Sequence, residues 1–407
     1  MSRLWDAASV ADCLVTVPTA GKTKVQARDY KPSGRFQVID QGQEPVAGWT
    51  DDESAVIDSP LPLIVFGDHT RAFKFVDRPF ARGADGTQLL RPKDGIDPLF
   101  FFYACRAIDL PARGYNRHFT ILKEKELAYP LNTTEQRAIA GVLRKTESAL
   151  QQQTALIDNL RELKRASMRE LFTRGLRGEP RKDTEIGLMP ESWEVAAIGT
   201  HHAVVSGGTP SRGNPAFWSG GTIPWVKTTE VDYCVITETE EHITPLGLES
   251  SAAKMLPAGT LLMAMYGQGI TRGKVAILGI EAACNQACAA IMPKDGTVLP
   301  RYLYHFLTWR YDAIRSLAHG GQQQNLNLEI VRELPLTFPQ SQDEQCDIVT
   351  ILDAVDRKID LHQKKHKVLE ELFESLLHKL MTGEIAVSHL DLSALSPAST
   401  QPEEAKA

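Results

Sequence analysis

The feature that most limits what this chain can fold into is that it repeats itself. Pro130, Glu135, Gln136, Ile139, Leu143, Leu160, Leu163, Leu171 and Thr173 match Pro339, Glu344, Gln345, Ile348, Leu352, Leu369, Leu372, Leu380 and Thr382, at a constant offset of 209 residues. Upstream, Pro92-Lys93-Asp94-Gly95 recurs as Pro293-Lys294-Asp295-Gly296 and Tyr103 as Tyr304, both at offset 201, and Trp5 is answered by Trp193. Chance supplies one such match, not an ordered set, so the chain reads as a duplicated unit: globular module, helix, globular module, helix.

The helices are the most legible parts. From about 132 to 172 there is no proline and one early glycine, Gly141, and from about 341 to 382 there is neither. Seam positions at alternating spacings of three and four carry Leu143, Thr146, Leu150, Gln153, Ile157, Leu160, Lys164, Ser167 and Leu171 in the first helix. In the second they carry Leu352, Val355, Ile359, His362, His366, Leu369, Phe373, Leu376 and Leu380. That spacing is a coiled-coil seam. Each helix starts after a proline and polar capping residues (Thr133, Thr134, Glu135; Ser341, Asp343, Glu344) and stops near Gly175 and Gly178 or Gly383. About forty residues at about 1.5 Å rise make a rod of roughly 60 Å. An amphipathic rod needs a partner for its apolar stripe. The gapless copy offers one of equal length, and a pseudo-twofold arrangement lays the two antiparallel. The alternative is that each helix packs on its own globular module. The polar seam positions Gln153, Lys164, His362 and His366 are expected to set register or face a partner.

The globular parts read as mixed α/β. Phe36–Ile39, Leu63–Phe66, 261–265 and Val275–Leu278 are strand-like runs between glycine- and proline-bearing loops, and a helix follows in each part, near 98–107 and 301–317. The expected fold class is therefore α+β: two globular mixed α/β domains in tandem pseudo-repeat, separated by two long helices forming an antiparallel coiled coil. The expected boundaries are a first domain over 1–130, a helical spacer over 131–180, a second domain over 181–339, a second spacer over 340–385 and a disordered Ser-, Pro-, Ala- and Glu-rich tail over 386–407.

Charge narrows the function. The net charge of −6 argues against a protein that coats DNA, which would be strongly basic. Residues 1–130 carry 17 basic and 17 acidic side chains, and residues 341–407 carry 7 against 13, so any nucleic-acid contact must use local patches or borrow its phosphate grip from partners. No apolar run approaches the roughly 20 residues a membrane helix needs. The N-terminal residues Arg3, Trp5 and Asp6 are not an apolar signal core, so a cytoplasmic location is expected. Six scattered cysteines include one close pair, Cys284 and Cys288, and no second pair to complete a zinc site, so reduced thiols and no metal are expected.

No catalytic constellation stands out. The Gly267 to Gly273 run is followed by a strand-like segment rather than a helix, and its glycines miss the dinucleotide spacing. Asn214-Pro215-Ala216-Phe217 resembles an adenine-methyltransferase motif broken at Ala216, with no cofactor motif beside it. Gly67-Asp68-His69-Thr70-Arg71 lacks further ligands at metal spacing, and His201-His202 precedes a strand-like segment. The chain is expected to hold no cofactor and to catalyse nothing alone. Side chains that read base edges are instead concentrated beside glycines. The first domain offers Gln41, Gln43, His69, Thr70, Arg71, Arg113, Asn116 and Arg117. The second offers Thr209, Ser211, Arg212, Lys227, Thr228, Gln268, Thr271, Arg272, Lys274, Asn285, Gln286, Gln322 and Gln323. Any one of these can be an ordinary exposed loop residue, but as a set they form a contact surface for double-stranded DNA. Two other readings stay open: an adaptor whose coiled coil joins proteins, which salt-dependent DNA binding would distinguish, and an enzyme with an unrecognised site, which activity of the purified chain would reveal.

These residues resemble the specificity subunit of type I restriction-modification systems, over nearly the whole chain. The resemblance rests on 187–193 (Gly-Leu-Met-Pro-Glu-Ser-Trp), 207–211 (Gly-Gly-Thr-Pro-Ser), 223–227 (Ile-Pro-Trp-Val-Lys), Gly267-Gln268 with Thr271-Arg272-Gly273-Lys274, Asn285-Gln286, the Pro339…Glu344-Gln345 helix start and the 380–384 helix end. The first domain resembles a different recognition-domain type through 38–43 and Gly67-Asp68-His69-Thr70. The first helix departs at its end, Thr173-Arg174-Gly175. The resemblance implies that each domain is a target-recognition domain reading one half of an interrupted, asymmetric DNA target. It implies that the helices space the halves and dock two modification (methyltransferase) subunits that bring S-adenosylmethionine and flip the adenine. Restriction subunits using ATP and Mg for translocation and cleavage would join them.

Overall fold

The computed structural model describes residues 5–19, 21–84, 86–111, 118–267, 270–317 and 325–390. It is mixed α+β, with two long helices, Thr133–Arg174 and Gln342–Met381, of 42 and 40 residues. The chain divides into two compact units, residues 1–155 with 363–407 and residues 156–362, so each unit takes part of each long helix.

In the first unit the strand Trp5–Ser9 pairs antiparallel with Glu126–Pro130. A four-stranded sheet holds Phe36–Ile39 between Gly48–Thr50 and Phe80–Arg82. A three-stranded sheet runs Phe73–Val76, Leu63–Gly67, Thr87–Leu90, with Leu63–Gly67 central and wholly buried. The helix Pro98–Arg106, capped by the Asp97 carboxylate, presses Phe100, Phe101, Phe102 and Tyr103 into the core. Into that same core come Ile139, Ala140, Val142 and Leu143 of the first long helix and Phe373, Leu376, Leu380 and Met381 of the second.

The second unit repeats the plan. Glu194–Ala197 pairs antiparallel with Pro335–Phe338, and 335–339 is the first unit's 126–130 shifted by the sequence offset. A five-stranded sheet has Leu261–Ala264 at its centre, between Cys288–Pro293 and Val275–Leu278, and a three-stranded sheet is built on Ile223–Val226. The helical run near 301–317 is two helices, Pro300–Trp309 and Tyr311–Ser316, with Arg310 between them. The core joins Trp193, Tyr302, Phe306 and Phe338 to Met168, Leu171 and Phe172 of the first long helix and Ile348 and Leu352 of the second.

The structure explains why the duplicated helix start is Pro-(x)4-Glu-Gln. Gln136 is fully buried; its amide donates to the Pro130 carbonyl at 2.7 Å and the Gly95 carbonyl at 3.0 Å, and its oxygen takes the Asp97 N–H at 2.6 Å. Gln345, equally buried, donates to Pro339 and Thr297 carbonyls, each at 2.9 Å, and takes the Leu299 N–H at 2.9 Å. In both units one glutamine ties the strand end, the following helix and the short helix together, satisfying backbone groups that burial would otherwise orphan.

Along the seam, of residues 151–166 only Gln153, Ile157, Leu160 and Lys164 are withdrawn from solvent. Of residues 357–375 only Ile359, His362, His366, Leu369 and Phe373 are. Leu143, Leu171, Leu352, Leu376 and Leu380 are buried at the ends, and Leu150 and Val355 are half-buried. Within the second unit Lys164 Nζ meets Asp356 at 2.6 Å while 168–172 share a core with 348–352, so the helices run antiparallel there. Each globular part packs on both helices, so the two arrangements the sequence left open occur together. Helix ends follow glycine chemistry: Gly175 and Gly383 sit at φ +63° and +72°, where a side chain is strained. No described helix is long and apolar enough to cross a membrane.

Candidate nucleic-acid interface

In the first unit, segments that lie far apart in sequence are stitched into one surface. The strand Phe36–Ile39 delivers Asp40 to Gln43, and the turn between Leu63–Gly67 and Phe73–Val76 delivers Asp68 to Arg71. The turn closes through Gly67 N–H to the Ala72 carbonyl and Arg71 N–H to the Gly67 carbonyl, both 2.8 Å, with Arg71 at φ +62°. Thr70 donates its hydroxyl to the Gln41 carbonyl, and the Gln43 amide reaches the Thr70 carbonyl at 3.5 Å. A Cβ on Gly67 would stand 2.7 Å from that Gln41 carbonyl oxygen, so glycine permits the contact. Arg71 donates to the Leu110 carbonyl at 2.6 Å, tying in the segment before Arg113, Asn116 and Arg117, which lie outside the described residues.

Asp68 has a structural task. It is 4% exposed, its carbonyl takes His118 Nδ1 at 2.8 Å, and its carboxylate takes the Phe119 N–H at 2.7 Å. Its neighbour His69 is exposed. Gln41 is half-buried, its side chain lying over Gly86, whose φ of +72° and missing Cβ leave the amide room.

The second unit converges in the same manner. Gly208 N–H donates to the Cys284 carbonyl at 2.9 Å, Asn285 N–H to the Val226 carbonyl at 3.0 Å, and Met265 N–H to the Ala287 carbonyl at 2.8 Å. Thr228 and Asn285 exchange hydrogen bonds at 2.8–2.9 Å, Thr209 donates to the Gln286 side-chain amide oxygen, and Trp225 Nε1 donates to the Gly208 carbonyl at 2.9 Å. Four separate loops thus form one polar face. Arg212 ion-pairs with Glu241 and lies 3.8 Å from the Trp218 ring centroid, while the Ser211 carbonyl takes Trp218 Nε1 at 3.1 Å. Lys227 Nζ is 2.5 Å from Glu240 and 3.4 Å from Glu241, and Lys274 Nζ is 2.6 Å from Asp232. The Arg212 hydrogen bond holds the Glu241 carboxyl below its ordinary range, and Glu240 raises the Lys227 ammonium. Thr271 is half-buried and Arg272 is 8% exposed; Gln268, Gln322 and Gln323 lie outside the described residues.

Two features were not singled out from sequence. Glu240 and Glu241 counter the second unit's cations, a pairing across strands that no local pattern announces. Lys74 sits inside the first unit at 9% exposure, signalled only by a charge alternating with apolar residues in Phe73-Lys74-Phe75-Val76. One cluster has metal-ligand composition, His305, Asp353 and Asp356, but it lies against the long helices. Arg301 at 2.8 Å from Asp353 and Lys164 at 2.6 Å from Asp356 already balance it. The two loop faces can hydrogen-bond, stack and pair charges; among the described residues they assemble no nucleophile with its base.

Known proteins share this architecture. The family model for the type I restriction modification DNA specificity domain matches residues 190–371. The EcoR124I/EcoR124II specificity subunit of Escherichia coli is 23% identical over 374 residues, 87% of this chain and 90% of that one. The MjaIX specificity subunit of Methanocaldococcus jannaschii is 30% identical over 196 residues, 47% of this chain and 44% of the relative. Among solved structures, the type I restriction-modification S subunit of M. genitalium superposes with a TM-score of 0.64 at 17% identity, covering 93% of this chain and 96% of that one.

Proposed function

We propose the following for a chain that belongs with the specificity subunits of type I restriction-modification systems: each unit's polar loop face reads one half of a bipartite, asymmetric DNA target. The observation that carries this is the convergence itself. Loops from positions 40–43, 67–72 and 108–110 in one unit, and 207–212, 226–228, 265–267 with 270–274, and 284–287 in the other, are hydrogen-bonded into two faces of donors and acceptors. Side-chain amides, hydroxyls and guanidinium groups on loops held by a sheet are what base-edge recognition requires.

The electrostatics assign the rest of the work. Arg212, Lys227 and Lys274 are each held by a carboxylate. A phosphate must displace that carboxylate, so these cations favour orientation over raw affinity. Most of the grip on the duplex then belongs to partners: two modification subunits seated on the long helices, supplying S-adenosylmethionine and adenine-N6 methylation, with restriction subunits supplying ATP- and Mg-dependent translocation and cleavage. This chain contributes recognition and spacing, and no chemistry of its own.

The test is to co-express the chain with its cognate modification subunit and map N6-methyladenine across the host DNA. The expected result is a new motif of two short specific halves with a fixed gap. A soluble, assembled complex that adds no methylation would refute the reading.

A further inference from the structure

The first unit contains a cleft of about 980 Å³ along the strand Phe73–Val76, which lies at the end of its three-stranded sheet. It is also lined by Gln37 and Ile39, by the helix Pro98–Arg106, and by Arg144, Glu147, Ser148 and Gln151 of the first long helix. Gln43, Thr70 and Arg71 of the loop face line it as well. In a chain of net charge −6, its lining carries Arg71, Lys74, Arg78, Arg106 and Arg144 against Asp77, Asp109 and Glu147. Arg106 is spoken for by Glu147 at 2.5 Å, while Asp77 is shared by Arg78 at 3.6 Å and Arg144 at 3.7 Å. The cleft therefore keeps a positive excess.

Among its lining residues is Lys74. The side chain is 9% exposed, and among the described residues its ammonium makes no hydrogen bond, only an ion pair. The nearest anion, Asp40 Oδ1, is 3.5 Å away and already takes the Gly42 N–H at 2.8 Å. A buried ammonium has three donors, and leaving them unmet is costly unless an acceptor arrives. An oxyanion entering from the cleft is such an acceptor, and Arg78 and Arg71 are exposed where it would enter. Its position beside Gln43, Thr70 and Arg71 places that anion next to the face proposed to read DNA.

We propose that this cleft receives a backbone phosphate of the DNA bound by the first domain, with Lys74 as its central contact and Arg78 as its outer one. The proposal rests on the DNA-reading role of the first unit. Lys74 contributes affinity and placement there, and reads no base.

The assembled complex with the cognate modification subunit tests it, by titrating duplexes carrying the mapped motif across a range of salt. Each phosphate contact contributes about 0.9 to the slope of log affinity on log salt. Lys74→Met, which keeps the aliphatic bulk, is expected to flatten the slope by about that amount and to weaken binding about tenfold at low salt, with the methylated motif unchanged. Lys74→Arg should retain most of both, and the exposed Arg78→Gln should flatten the slope in the same direction without disturbing the fold. An unchanged slope in both Lys74→Met and Arg78→Gln, or a change of motif at the first half-site alone, would overturn the proposal. So would Lys74-dependent binding of ATP or inorganic phosphate by the complex with DNA binding unaltered, which would make the cleft a site for free phosphates. If the wild-type complex shows no bipartite motif, it is the DNA-reading role that fails.

Discussion

Lys164 occupies a seam position where the repeat places Phe373 in the other helix, and removing it measures what a polar seam residue does here. Its ammonium lies 2.6 Å from Asp356, with side-chain exposures of 13% and 19%. Asp356 is also 4.0 Å from Arg301, which in turn holds Asp353 at 2.8 Å, and Asp353 takes the buried His305 at 2.7 Å. Exposed pairs contribute about 0–1 kcal/mol, whereas breaking a fully buried pair costs roughly 3–5 kcal/mol. This pair is mostly withdrawn from water, and Arg301 remains to soften the loss, so Lys164→Met is expected to cost about 1–2 kcal/mol. Asp356→Leu should cost a similar amount by stranding the ammonium. The double replacement leaves no charge uncompensated and should cost no more than either single one, giving a coupling of about 1–2 kcal/mol in the double-mutant cycle. With two compact units, global unfolding need not be two-state, so the readout is hydrogen exchange of the helix amides around 160–168 and 352–360. A coupling below about 0.3 kcal/mol, or a double variant as weak as the summed singles, would refute the reasoning. If the pair also specifies register, the double variant in the assembled complex should methylate at more than one gap length.

Deleting one heptad from each long helix, around Ile157 and around His362, removes about 10 Å of rise, roughly three base pairs, and should shorten the methylated gap while both half-sites persist; an unchanged gap refutes the spacing role. Gly86→Ala forces a side chain onto a φ of +72° and against the Gln41 amide, whose Cδ would stand 2.8 Å away. It should cost about 1–2 kcal/mol, mostly backbone strain since the Gln41 amide can swing aside, seen as faster exchange in the first unit, and blur the first half-site only. His202 is 1% exposed, and burial pulls its pKa from 6.5 to about 4. Because the unfolded chain binds that proton more readily, its contribution is fully present above pH 6.5 and lost as pH falls toward 4. At pH 5 the loss is about 2 kcal/mol. His202→Leu should flatten the fall in urea-unfolding midpoint between pH 7.5 and 5, and a slope equal to wild type would assign that fall to other groups.

What sequence reading could reach follows from the range of the interactions. The helices were legible because a seam is a local period, and the non-exposed residues 153, 157, 160, 164 and 359, 362, 366, 369, 373 keep that period without a slip. The α+β class and the duplicated order of elements were legible for the same reason. The repeated Gln136 and Gln345 were visible as a coincidence of spacing, but their reason was not. Each acts on carbonyls supplied by segments 41 and 48 residues upstream, at Gly95 and Thr297. The loops were recognised one at a time by composition, and their convergence depends on bonds such as Thr70 to Gln41 and Asn285 to Val226, which no local pattern encodes. Charge shows the limit most sharply. Arg212 and Lys227 look like free cations in sequence, yet strand pairing brings Glu240 and Glu241 to them, while Lys74 looks like a surface lysine and is buried with no hydrogen-bond acceptor among the described residues. Counting basic residues would therefore rank the second unit's loops above the first unit's cleft as the place for a phosphate. Counting which cations already make a close charge-assisted hydrogen bond reverses the order, because a phosphate adds most where the desolvation cost has been met and donors remain unsatisfied.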